Sequence, residues 1–127
     1  EIPGNATDME TPEVALERQF LDAWLRADSQ ALKALQAPGC IRIWHNGSLT
    51  QGLEGRAPEH AESSNFQVNR LQGTSSHHNT AENYPDAWVI TYVLTWTGGK
   101  LRESSTWVAG ENGPRILMHQ SSPISAR

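Results

Sequence analysis

The sequence predicts an α+β domain in which an N-terminal pair of helices packs on a curved, mainly antiparallel sheet, with a hollow between the two layers. Three observations predict it. The apolar residues Val14, Leu16, Phe20, Leu21, Trp24 and Leu25 form a broad stripe at helical spacing. Ala87 to Pro123 reads as three long strands, AWVITYVLTW, KLRESSTWVAG and PRILMHQSSP. The turn signals Thr97-Gly98-Gly99 and Glu111-Asn112-Gly113 separate them, so the three pair as an antiparallel meander.

In chain order, residues 1–10 lack apolar periodicity and are expected to form a flexible arm, with residues 11–127 making one domain. Thr11-Pro12-Glu13 starts the first helix: an oxygen-bearing cap, a proline at the first helical position and an acid in the first turn. Asp28 or Ser29 caps a shorter helix carrying Leu32 and Leu35, which Pro38-Gly39 ends. Cys40 to His45 is β-branched and aromatic, hence a strand. Asn46-Gly47 turns it into a brief return strand over Leu49 to Leu53. Gly55 to Ala61 reads as a loop entering a short third helix, and one strand is expected somewhere in 66–82.

Composition narrows the function classes. The chain has 127 residues, 37% of them hydrophobic, and a formal net charge of −4. Its mean hydropathy is −0.55. That size supports a single core. Lys and Arg are scattered singly, so neither the charge nor its pattern suits nucleic acid. No run of 18 apolar residues exists for a membrane helix. Cys40 is the single cysteine, which excludes an intrachain disulfide. The chain opens at Glu1 rather than Met. This fits either a removed signal peptide or a trimmed start, and leaves the location open between cytoplasm and export.

Several residues are candidates for chemistry. His45, at a strand end beside a tight hairpin, and His119, on the last strand, are candidates for general acid or base work, for which the ordinary imidazole is suited near neutral pH. The alternatives are a solvent-facing hairpin side chain and a sheet or interface residue. His77-His78 are adjacent, so regular strand structure points them apart. With no Cys-x-x-Cys or His-x-x-x-His spacing, no metal site is expected, and no cofactor. Trp24 and Trp44 are candidate cavity walls, or simply core. Ser104 and Thr106 alternate on one strand beside Thr91 on the strand before it. This hydroxyl row either lines a polar cavity or decorates a solvated face.

The ending RESSTWVAGENGPRILMHQSSP and the segment WHNGSLTQGLEGRAPEH resemble the closing hairpin and the first hairpin of the NTF2-like superfamily. The likeness is to its SnoaL-like branch and to the association domain of calmodulin-dependent kinase II. It spans about residues 12–123. The resemblance implies a cone-shaped barrel or roll, a ligand pocket in the cone and a homodimer formed through the outer sheet face. It also implies that Val93 and Thr106 turn toward the cavity, with Trp88, Tyr92 and Trp96 outward. Hydrophobicity alone implies the reverse.

The departures bear on function. Where the isomerase branch carries a carboxylate base, this chain has Trp44-His45. Where kinase association domains carry pocket arginines, Val93 and Thr106 stand, so an anion cradle of that kind is not expected. The resulting reading is a domain that binds a small organic molecule, with no assigned catalysis. The alternative is a cofactor-independent isomerase, cyclase or hydrolase of SnoaL type, with His45 or His119 moving the proton.

Overall fold

The computed structural model describes residues 11–71, 87–110 and 112–124. The elements are α1 (Pro12–Leu25), α2 (Ser29–Leu35), β1 (Gln36–Ile43), β2 (Leu49–Gln51), β3 (Glu62–Leu71), β4 (Ala87–Trp96), β5 (Gly99–Val108) and β6 (Arg115–Pro123). Thr11 caps α1 by accepting from the Val14 amide at 3.2 Å, and Asp28 caps α2 by accepting from Ala31 at 3.1 Å. Both helix starts are where the side-chain oxygens placed them.

The six strands form one sheet in the order β2-β1-β6-β5-β4-β3. β1 and β6 pair parallel, and the other neighbours pair antiparallel. Among the described residues the outer strands β2 and β3 do not meet, so the sheet is open, and of the cone-shaped barrel or roll expected it is the open roll that forms. The helices cover one face. Against them lie Trp88, Ile90, Tyr92 and Leu94 of β4, register partners of Trp107, Ser105, Glu103 and Leu101 of β5. Phe20, Leu21, Trp24 and Leu32 fill the helical side of this core. Fully burying aliphatic and aromatic side chains of this kind contributes about 1.5–3 kcal/mol each. The Trp88 and Trp107 rings stack with centroids 5.7 Å apart.

This overturns the outward placement of Trp88 and Tyr92, which are fully buried on the helical side. Trp96, at the strand end, is half-buried. The apolar row wins because the sheet has one covered face and its bulkiest residues go there.

Other boundaries also move. The third helix is absent: residues 52–61 are irregular, with Gly55 at φ 144° and His60 at φ 59°, and their path is tied to the end of α1 by Ala57 N–H donating to Trp24 O at 3.2 Å. β1 begins four residues before Cys40, and its register with β6 shifts between Gln36 and Ile41, across Pro38 and the left-handed Gly39. β3 begins at Glu62, and a left-handed Asn65 (φ 59°) shifts its register to β4 between Ser64 and Gln67. At the far end of β3, Arg70 grips the buried Glu13 of α1 through two contacts of 2.6 and 2.9 Å. The expected arm, residues 1–10, and His77-His78 lie outside the described residues.

Candidate functional site

Four ionisable side chains sit fully buried between helix and sheet: Glu17 from α1, Arg42 from β1, Glu103 from β5 and His119 from β6. Glu17 lies within the apolar stripe of α1, three residues after Val14 and three before Phe20, so it is carried into the core. The strands supply its partners at matching parity. Tyr92 Oη and Ser105 Oγ each donate to Glu17 Oε2 at 2.7 Å, and Trp107 Nε1 donates to Oε1 at 2.8 Å. Burial still holds the Glu17 carboxyl above the usual range, although His119 and the three donors pull it down. Tyr92 is pushed well above 10, first by burial and then by the Glu17 charge, so it stays a neutral donor.

Ser105 continues the chain to His119, whose Nδ1 is 2.6 Å from Ser105 Oγ. On the other side His119 Nε2 is 2.7 Å from Glu103 Oε1, which also accepts from Ser121 Oγ at 2.7 Å. The imidazole is fixed on both nitrogens and packed against Phe20 and Trp24, with centroids at 4.9 and 5.7 Å. An imidazole oriented by a carboxylate can hold and pass a proton.

Arg42 is the register partner of His119 across the parallel junction. Its guanidinium carbon lies 4.1 Å from the Trp24 ring centroid and 4.4 Å from that of Trp44. Cations placed this way over indole faces are attracted by the ring quadrupole. Arg42 Nη1 donates to Leu53 O at 3.1 Å, whereas Nε and Nη2 are buried without a partner. Burial brings the Arg42 pKa down to about 10 against the attraction of Glu103, so the group remains charged at neutral pH. Glu103 Oε2 is likewise buried without a partner. Trp44 is half-buried and anchored by one exposed contact, Nε1 donating to Thr50 Oγ1 at 2.9 Å. Gly55 runs directly beneath it: a Cβ there would lie 2.8 Å from Trp44 Cη2.

Of the residues the sequence singled out, His119, Trp24 and Trp44 gather around this cluster. His45 is exposed in the turn after β1 and does not pair with His119. Thr91, Val93, Ser104 and Thr106 lie on the other face of the sheet, where Thr91 is the register partner of Ser104 and Val93 of Arg102. The six expected lining residues therefore do not share one hollow, because the parity inferred from the resemblance was inverted. An arginine does reach the inner face, but from β1 rather than from the positions of Val93 and Thr106. Sequence reasoning missed Glu17, Arg42, Glu103 and Ser105. An acid inside the apolar stripe of α1 was the signal that could have found Glu17, since such a residue needs donors on the facing sheet.

A groove of about 180 Å³ opens elsewhere, lined by Arg18, Leu21, Asp22, Leu25, Ala61, Ser63 and Leu94. It touches none of the four buried ionisable groups. The chemistry that stands out lies in the core, not in the groove. Cys40 is buried and its thiol is pushed up to about 11 by burial, so it is no nucleophile at neutral pH. Among the described residues no three His, Cys, Asp or Glu side chains gather into a group that could hold a metal. Among the described residues no helix is long and apolar enough to cross a membrane.

No family model matches this chain, and no curated protein does. Solved structures do. An NTF2-like protein of unknown function in nutrient uptake from Rhodospirillum rubrum is 16% identical, with a TM-score of 0.64 over 91% of this chain and 100% of that one. A cystatin-like fold protein from Burkholderia xenovorans is 16% identical, with a TM-score of 0.65 over 89% of each chain. A putative Ca/calmodulin-dependent kinase II association domain from Exiguobacterium sibiricum is 11% identical, with a TM-score of 0.60 over 100% of this chain and 98% of that one. At these identities the likeness establishes the fold, and the fold is NTF2-like.

Proposed function

On an NTF2-like fold whose inner face carries a half-bonded arginine, we propose that this domain binds a small organic carboxylate at the Arg42 edge, without catalysis of its own. The observation that carries the reading is the pairing state of Arg42. Its Nη1 is used by Leu53 O, which leaves Nε and Nη2, the two parallel N–H vectors that match the oxygens of a carboxylate. A buried donor without a partner costs about 1–3 kcal/mol, so two on one side chain mark where a partner belongs. The guanidinium lies between the half-buried Trp44 and the buried Trp24, so the Trp44 side is the less covered of the two and the side from which a ligand approaches. Calorimetric titration with acetate and benzoate tests this. Binding by the wild type, weakened at least about tenfold by Arg42→Lys, is the expected result, because an ammonium keeps the charge but loses the fork. Equal binding by Arg42→Lys would overturn the reading.

A second reading, acid/base catalysis of SnoaL type, is favoured by one observation: His119 lies between a hydroxyl and a carboxylate. Under this reading His119 moves the proton at a carbonyl-bearing ligand. Deuterium exchange next to the carbonyl of a bound keto acid, abolished in His119→Gln, is its signature. A homodimer through the outer face, with the half-buried Ile41 and Met118 in the contact, belongs to the same proposal.

A further inference from the structure

The two carboxylates, the imidazole and the guanidinium of the inner face form a closed proton inventory. If Glu17 is ionised, Ser105 donates to it, so His119 Nδ1–H must donate to Ser105 Oγ. Nε2–H then donates to Glu103, and His119 is an imidazolium. If Glu17 is protonated, the chain reverses: Glu17 O–H donates to Ser105, Ser105 to Nδ1, and His119 is neutral. Both arrangements hold the same number of protons and leave the four groups electrically neutral. They differ only by protons moving along the Glu17–Ser105–His119 chain. Nothing in either arrangement uses Glu103 Oε2, which is buried and unpartnered.

A carboxylate on the Arg42 fork adds one negative charge to this neutral set, in a setting where an uncompensated charge is strongly disfavoured. The groups that act on Glu103 are Arg42 from β1, Tyr92 from β4, and His119 and Ser121 from β6, while Glu17 from α1 and Cys40 from β1 act on Arg42. Tyr92 and Cys40 are neutral at working pH, and Arg42 is already charged. Protonating His119 and Glu17 together would give Ser105 two donors and only its own proton to dispose of. Glu103 Oε2 is the position that accepts a proton without disturbing a single existing hydrogen bond.

We infer that carboxylate binding at Arg42 is coupled to uptake of one proton from solvent at Glu103 Oε2, which then donates to the bound ligand. This rests on the carboxylate reading above. The bound pair is a carboxylate and a carboxylic acid sharing a hydrogen bond beside a guanidinium, so the site selects organic anions more strongly as the pH falls. A neutral amide should bind without proton exchange, since its carbonyl accepts from Arg42 and its N–H donates to Glu103.

Calorimetry in two buffers of different ionisation heat tests the coupling, with benzoate and benzamide as probes on the wild type and on Glu103→Gln. Benzoate stays ionised between about pH 6 and pH 8, so any proton gained comes to the protein. The expected result is uptake of about one proton per benzoate by the wild type, none with benzamide, and none for either probe with Glu103→Gln, whose amide N–H replaces the acid proton. Benzoate binding by the wild type without proton uptake, or with the same uptake in Glu103→Gln, overturns the coupling while leaving the carboxylate site intact. Absence of benzoate binding, or equal binding by Arg42→Lys, sinks the carboxylate reading itself. The wild-type comparison of benzoate with benzamide stands even if Glu103→Gln does not fold.

Discussion

Arg42 and His119 are register partners on adjacent parallel strands, which puts a permanent cation beside an imidazole in the core. Two such groups side by side are tolerable because Glu103 and Glu17 are joined to the imidazole, directly and through Ser105, and also attract Arg42. The consequences can be measured one side chain at a time.

Glu17 should set the pH dependence of stability. Its carboxyl lies above 4.5 in the folded state because it is buried. The sign follows: its contribution is full below 4.5 and is lost as the pH rises through the folded value. Urea denaturation from pH 4 upward should show this decline in the wild type and a flatter profile in Glu17→Gln, whose amide still meets Ser105 and Trp107. Glu17→Leu instead strands Tyr92 and Trp107, while Ser105 keeps His119, and should cost more than about 2 kcal/mol.

The Glu13–Arg70 pair should behave in the opposite sense. Burial, the largest influence, raises Glu13, but the bonds and charge of Arg70 together with the backbone N–H and Thr11 outweigh it, and the carboxyl lies below 4.5. Its contribution is present above 4.5 and disappears as the pH falls through the folded value. Arg70→Ala should destabilise by about 1–2 kcal/mol near neutrality, because it removes two of the donors to a buried carboxylate and leaves only the Glu13 backbone N–H and Thr11. The difference from wild type should shrink in acid, as read by urea midpoints.

Gly55 is where a single methyl should disturb the Arg42 sandwich. Its φ of 144° is unsuited to a side chain, and a Cβ would collide with Trp44. Gly55→Ala should destabilise by about 1–3 kcal/mol and shift the tryptophan emission, as Trp44 leaves the guanidinium. Benzoate affinity should fall with it.

The proposed dimer is checked on the other face. Met118 lies on the outer face, where it is the register partner of Ile41. Met118→Glu should leave the circular dichroism unchanged and halve the mass seen in sedimentation. A wild type that sediments as a monomer at micromolar concentration would remove the dimer.

Much of the architecture was legible from the chain. The helix caps at Thr11 and Asp28 and the closing meander are local signals, and local chemistry decided them. The parity of the sheet was not legible from β4 alone, because Val89 and Val93 make its outer row look nearly as apolar as Trp88, Ile90 and Tyr92. The deciding information lay on another element: Glu17 in α1 requires Tyr92, Ser105 and Trp107 on the facing side. Arg42 was hidden for a similar reason, since its burial depends on Trp24 and Trp44 closing over it from α1 and the first hairpin. The third helix failed because Gly55 and His60 take left-handed or glycine-only backbone conformations that no helix contains.

The left-handed Asn65 gives the protein a further property. β3 is the outermost strand beyond β4, ten residues long, and a straight ribbon of that length offers its free backbone groups to any passing chain. The break at Asn65 interrupts that ribbon midway, and the exposed Glu62, Ser64, Gln67 and Asn69 give it a polar border. Replacing Asn65 by Val should straighten the border, and edge-to-edge growth into fibres, read by dye binding, is the expected outcome.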